Sequence, residues 1–248
     1  MRSHGRAADC SDERRHHAGG ADVTGGPGED EAPAAEVGPQ PVRAVGFLDL
    51  AGYTALTEVH GDQAAVDVVE TFCDLVRASL SDGDVLVKSI GDAVLLLSPE
   101  AAALAELAGR VCAAVDAEPA FPVLRTGLHV GPVVLRRFDV FGGTVNVAAR
   151  VAAQASGGQV LATRSFAEAL GPSRWPVRHL GPRALKGLSA AVDVVELDLC
   201  PSPAGRAVDP VCGMSLLTGE GIEVAHARGP VRFCGPSCAA RWSSAAPG

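Results

Sequence analysis

The chain has 248 residues, 47% of them hydrophobic and 20% charged, with a formal net charge of −8. That length and apolar content suffice for one large domain, or a medium and a small one, and exclude wholesale disorder. No run of about 18 apolar residues occurs, no apolar leader follows Met1, and no basic run neutralises phosphates, so the expectation is a cytoplasmic protein with no membrane span and no nucleic-acid partner.

Residues 1–41 carry four Arg against eight Asp/Glu amid Gly, Ala and Pro. Without apolar periodicity they read as a disordered tail, His16 and His17 included. From Val42 the run VRAVGFLDL reads as a strand, stopped by Ala51-Gly52. Over 61–80, apolar residues at Val66, Val69, Phe72, Cys73, Val76 and Leu80 keep helical spacing. DVLVKSI and AVLLL are strands joined at Gly91-Asp92, a hairpin signal. Residues 99–118 read as an Ala/Leu helix ending before Pro119.

FPVLRTGLHV and PVVLRRF are two further strands around Gly131-Pro132. TVNVAARVAAQA is a helix opening at Thr144, QVLAT a strand, 164–170 a short helix, and 175–180 with 192–198 a closing strand pair. The order predicts an α+β sandwich with helices on one face of a mainly antiparallel sheet, over 42–199. Residues 200–207 read as a linker. Residues 208–248 form a Cys-bearing module too small for a large core, which calls for a metal or a docking surface.

The chain contains 19 arginines but two lysines, Lys88 and Lys186, and one asparagine, Asn146. Lysine retained in so arginine-rich a chain points to a need for a compact ammonium. Asp49 ends the first strand and Asp92 sits in the first hairpin turn. Singly, one reads as a helix cap and the other as a turn residue. Paired on neighbouring strands, they form a two-metal clamp suited to phosphoryl chemistry. Of the seven cysteines, Cys212, Cys234 and Cys238 crowd near the C-terminus, which fits reduced thiols and a metal site rather than a disulfide framework. Cys10, Cys73, Cys112 and Cys200 read as structural or incidental.

Three segments, F-x-D-x-x-G-Y-T (47–54), K-S-I-G-D-A (88–93) and F-D-V-F-G-G-T-V-N-V-A-A-R (138–150), together resemble the catalytic domain of class III adenylate/guanylate cyclases over about 42–199. The resemblance implies a ferredoxin-like core that dimerises head to tail, with active sites at the interface. It implies that Asp49 and Asp92 bind two Mg²⁺ or Mn²⁺ ions. Lys88 and Asp139 would read the purine, and Asn146 and Arg150, four apart on one helix face, would orient the ribose and stabilise charge at the α-phosphate. Lys186 would hold the triphosphate. A carboxylate accepts from the adenine amino group and an ammonium donates to a ring nitrogen, so the Lys88/Asp139 pair favours ATP over GTP. The segment from Gly131 to Phe138 is short for the family's hairpin arm, which leaves open whether Arg136 or Arg137 meets phosphate.

The segment Asp209-Pro-Val-Cys-Gly-Met214, with Val231-Arg-Phe-Cys-Gly-Pro-Ser-Cys238, resembles the YHS domain, a relative of heavy-metal-binding modules. Thiolates there would select Zn²⁺, Cu⁺ or a similar soft metal, with His226, water or an open position as the fourth ligand. The linker's short reach places this module near the closing strand pair that follows Lys186. The function expected is an adenylate cyclase producing cyclic AMP and pyrophosphate from ATP in signal transduction. Its alternatives are a nucleotide-binding signalling module without turnover, and a metal-handling protein acting through the Cys module.

Overall fold

The computed structural model describes residues 39–137, 139–172, 175–199, 206–227 and 229–245. The expected tail, apart from 39–41, lies outside the described residues, as do Cys10, His16, His17, Cys200 and most of the expected linker.

Strand β1 (Val42–Leu50) is central because its residues are apolar on both faces: Ala44, Val45, Leu48 and Leu50 are all fully buried. It pairs antiparallel with β3 (Ala93–Ser98) on one side and β4 (Leu124–Pro132) on the other. With β2 (Val85–Ile90), β7 (Val160–Thr163), β8 (Val177–Arg183) and β9 (Val192–Leu197), the order is β2-β3-β1-β4-β7-β9-β8. The β4–β7 pairing is parallel; the others are antiparallel. A hairpin of β5 (Val134–Arg136) and β6 (Asp139–Phe141) stands beside this sheet.

Between β1 and β2 the chain forms two helices, α1 (Tyr53–His60) and α2 (Asp62–Ser79), where the spacing predicts one from residue 61. The break falls at Gly61, whose φ of 88° lies in the left-handed region that favours glycine. Helices α2, α3 (Ala101–Ala117) and α5 (Arg164–Leu170) bury Phe72, Val76, Leu104, Val111 and Phe166 in one core with Leu48, Leu96 and Leu128 of the sheet. Thr163 caps α5, its hydroxyl accepting the Phe166 N–H at 3.3 Å.

Helix α4 (Gly143–Ala152) departs from the expectation of helices on one face only: it lies on the opposite face, over β1, β4 and β7. Gly127 makes this closeness physically permissible. A Cβ there would stand 2.1 Å from the Ala152 nitrogen and 2.6 Å from the Ala148 carbonyl oxygen. On this face the side chains of Asp49 on β1, Lys88 on β2 and Arg125 on β4 stay 20%, 40% and 35% exposed.

The C-terminal module comprises β10 (Arg206–Val208), β11 (Ser215–Leu217), β12 (Ile222–Val224), β13 (Val231–Phe233) and α6 (Pro236–Ala245), with the strands paired as two hairpins. It docks beside the β1–α1 turn and the start of β4. The Val123 N–H donates to the Gly213 carbonyl at 2.9 Å and the Ser215 N–H to the Phe121 carbonyl at 2.9 Å. Leu56 and Ala65 of α1 and α2 share one buried cluster with Cys212, Phe233 and Cys238. A module of this size cannot close a core by itself, so it borrows an apolar face from its neighbour. Cys112 takes part in a disulfide, unlike the reduced state expected of it, whereas Cys73, Cys212, Cys234 and Cys238 are free. Among the described residues no helix is long and apolar enough to cross a membrane.

Candidate active site

The two carboxylates predicted to act together come together. Asp49 pairs with Ala93 in the β1–β3 ladder, and the Leu50 N–H donates to the Asp92 carbonyl at 3.3 Å, which holds the hairpin turn against the end of β1. Burial pushes the Asp49 carboxyl up to about 6, and the neighbouring Asp92 adds to the rise. Arg125 opposes it: cross-strand from Asp49 on β4, its guanidinium forms an ion pair with the carboxylate. The Arg125 Nε is buried and has no hydrogen-bond partner among the described residues.

Two crowded carboxylates, one half-neutralised by an arginine, form an all-oxygen donor set that fits a hard divalent cation, since cation charge removes the repulsion that raises Asp49. Arg125 was not among the residues expected at the site. Its place opposite Asp49 follows from strand register, and no local motif marks it.

Lys88 and Asp139 are 51 residues apart and meet directly, the Lys88 Nζ donating to Asp139 Oδ2 at 2.7 Å. The β2 register shifts between Leu86 and Lys88, a bulge of the kind that re-aims a side chain. Asp139 Oδ1 also accepts the Val140 N–H at 2.8 Å, and the Lys88 and Val140 bonds hold this carboxyl below its ordinary range. The ammonium lies 5.8 Å from the centre of the Phe141 ring. The Lys88 and Asp139 side chains are 40% and 31% exposed, so each has hydrogen-bonding capacity facing solvent.

Asn146 and Arg150 project from α4 and are exposed. Lys186 is exposed in the β8–β9 loop, next to Leu185, which packs in one cluster with Val147 and Val151 of α4. That packing sets the lysine loop alongside the helix. Among the described residues Asn146, Arg150 and Lys186 are not hydrogen-bonded to Asp49 or Asp92.

A second cluster lies on the module side of α1. The thiol sulfurs of Cys212 and Cys234 are 3.6 Å apart, and those of Cys234 and Cys238 are 3.5 Å apart. His226, one candidate for a fourth position beside water or an open site, instead sets its ring edge-on to Trp242, with centroids 5.1 Å apart. His60, from the last turn of α1, takes that place: its Nε2 is 3.5 Å from the Cys234 sulfur and 4.0 Å from that of Cys238. Burial, together with the nearby Asp209 carboxylate, pushes the Cys234 thiol up to about 12 and raises Cys212 further still. Asp209 accepts N–H bonds from Val211 at 2.7 Å, Cys212 at 3.3 Å and Cys234 at 2.7 Å, fixing the backbone around both cysteines.

The sequence profile described as the adenylate and guanylate cyclase catalytic domain matches residues 38–196. The chain is 36% identical over 154 residues to a pH-sensitive adenylate cyclase of Mycobacterium tuberculosis, covering 60% of this chain and 38% of that protein. It is 40% identical over 131 residues to an adenylate cyclase of Streptomyces coelicolor, covering 51% of this chain and 34% of the other. The chain thus spans less than half the length of these relatives. A solved structure of adenylate cyclases from Trypanosoma brucei in their monomeric state superposes with a TM-score of 0.60 at 24% identity, over 65% of this chain and 90% of that one, a likeness of fold. With nearly two thirds of its length matched, the chain belongs to the adenylate and guanylate cyclase catalytic domain family.

Proposed function

We propose that the chain is an adenylate cyclase that converts ATP to 3′,5′-cyclic AMP and pyrophosphate in signal transduction. The Lys88–Asp139 pair carries this reading. Asp139 has a carboxylate oxygen to accept from the adenine amino group, and Lys88 has N–H donors left for a ring nitrogen. Guanine would present its O6 acceptor toward Asp139, an unfavourable meeting.

In the cyclisation the ribose 3′-oxygen loses its proton and bonds to the α-phosphorus. The bond from that phosphorus to the bridging oxygen breaks, and pyrophosphate leaves. Mg²⁺ or Mn²⁺, two ions per site on Asp49 and Asp92, would acidify the 3′-hydroxyl and neutralise triphosphate charge. Arg150 supplies fixed donors where charge develops at the α-phosphate, Asn146 orients the ribose, and Lys186 binds the β- and γ-phosphates.

The site is completed in a head-to-tail homodimer, with Asp49 and Asp92 from one subunit and Lys88, Asp139, Asn146, Arg150 and Lys186 from the other. Apolar Ile90 and Phe141, each 49% exposed beside the nucleotide-facing residues, support an interface there. Residues 208–248 are proposed to be a YHS-like module with affinity for a soft metal.

The test is turnover of the purified full chain on ATP and on GTP with Mn²⁺ or Mg²⁺. The expected result is cyclic AMP, with cyclic GMP lower by at least about 10-fold. Absence of cyclic AMP with either ion, or a preference for GTP, overturns the reading.

A further inference from the structure

We propose that His60 of the catalytic fold and Cys212, Cys234 and Cys238 of the C-terminal module form one closed Cys₃His site for Zn²⁺, which clamps the module onto helix α1. The inference stands independently of the cyclase reading. The four ligand atoms all lie within 4.8 Å of one another. Tetrahedral zinc, with Zn–S of about 2.3 Å and Zn–N of about 2.0–2.1 Å, separates two sulfurs by about 3.8 Å and a sulfur from a nitrogen by about 3.6 Å. The sulfurs at 3.5 and 3.6 Å and the imidazole nitrogen at 3.5 and 4.0 Å follow those edge lengths. Three thiolates and one imidazole are a borderline-soft set that selects zinc over the hard ions suited to Asp49 and Asp92.

The surroundings are already built for such a site. Asp209, 1% exposed, accepts the N–H groups of Cys212 and Cys234 and so fixes the backbone at two ligands. Cys238 lies in the first turn of α6, one helical turn beyond Cys234. His60 lies in the last turn of α1, and an ion pair between Arg241 of α6 and Glu58 of α1 spans the same junction. Tyr53, Leu56 and Val59 of α1 pack in the cluster that contains Cys212, Phe233 and Cys238.

The clamp bears on the catalytic face by short paths. Helix α1 opens at Tyr53, four residues after Asp49. At that turn a Cβ on Gly213 would meet the Ala51 carbonyl oxygen at 2.0 Å, and one on Gly52 would meet the Cys212 carbonyl carbon at 2.7 Å. The Ala51 N–H donates to the Val123 carbonyl, which belongs to the residue hydrogen-bonded to Gly213. Zinc held by ligands on both sides therefore opposes separation of α1 from the module.

The test uses the full chain, stripped by a chelator and reloaded with Zn²⁺, or with Co²⁺ as its absorbing substitute. One metal per chain is expected in this site, with the charge-transfer bands of tetrahedral thiolate coordination in the cobalt form. Loss of a group that only hydrogen-bonds to a ligand already weakens metal binding about 10–100-fold, and His60→Ala should weaken Zn²⁺ binding at least as much and alter the cobalt spectrum. His226→Ala should leave both unchanged. Hydrogen exchange gives a second readout: Zn²⁺ should slow exchange in 51–60 as well as in the module, and His60→Ala should remove the effect on 51–60. No retained zinc, an unaltered cobalt spectrum in His60→Ala, or protection confined to the module overturns the shared site. So does a chain that binds Cu⁺ through the cysteines alone.

Discussion

Arg125 stands directly across the β1–β4 ladder from Asp49 and holds that carboxylate in an ion pair. The arginine opposes burial and Asp92, which drive this carboxylate toward its protonated form. A divalent ion at the proposed site would therefore share Asp49 with Arg125.

Asp49→Asn and Asp92→Asn should each lower cyclic AMP formation by at least about 100-fold, since each removes a charge from the same proposed cation site. Both variants should keep the native circular dichroism, because amide and carboxylate have nearly the same volume. Wild-type turnover by either variant, in Mg²⁺ or Mn²⁺, would remove the carboxylates from the mechanism.

Mixing Asp49→Asn with Arg150→Ala, each inactive alone, tests where the two halves of a site come from. If subunits re-pair at random, about half of the dimers are mixed and each holds one intact site of two, so about a quarter of wild-type turnover should return. Activity that stays at background while mixed dimers are demonstrated would place both groups in one subunit.

Gly127→Ala should act at a distance from the chemistry. The added methyl enters the space of Ala152 and Ala148 and must lift α4 from the sheet, displacing Asn146 and Arg150. A loss of about 1–3 kcal/mol in denaturant unfolding is expected, together with a fall in turnover. Unchanged stability would mean that α4 has more freedom over β4 than its packing implies.

His129 provides a pH-dependent term in stability. Burial holds its imidazole below its ordinary value of 6.5, and Nδ1 is 2.8 Å from the Thr163 hydroxyl. The unfolded chain takes up the proton first as pH falls below 6.5, so unfolding becomes easier on acidification until the folded imidazole also titrates. Asp49, raised by burial and by Asp92, acts with the opposite sign between its ordinary 3.8 and about 6. Comparing wild type with His129→Gln isolates the histidine: the variant should lose less stability between pH 7 and pH 5 (roughly the span below the unfolded imidazole's pKa). Parallel curves would contradict the assignment.

The sequence alone determined what local chemistry determines. Apolar runs bounded by Gly and Pro marked β1 residue for residue, α5 from Arg164 to Leu170, and the strands flanking Asp92 within a residue or two. The motifs also named Asp49 with Asp92 and Lys88 with Asp139 as pairs, and each pair meets in the fold. Those pairs are legible because each member belongs to a short motif on a strand, turn or hairpin. The tertiary structure alone decided which face α4 covers, because that depends on a missing side chain at Gly127 and the helix opposite it. It decided Arg125, whose relation to Asp49 is a matter of strand register. It also decided which histidine stands beside the cysteine cluster. His226 is nearer in sequence, but proximity depends on distance in space, and docking of the module on α1 carries His60 to the thiols from 174 residues before Cys234.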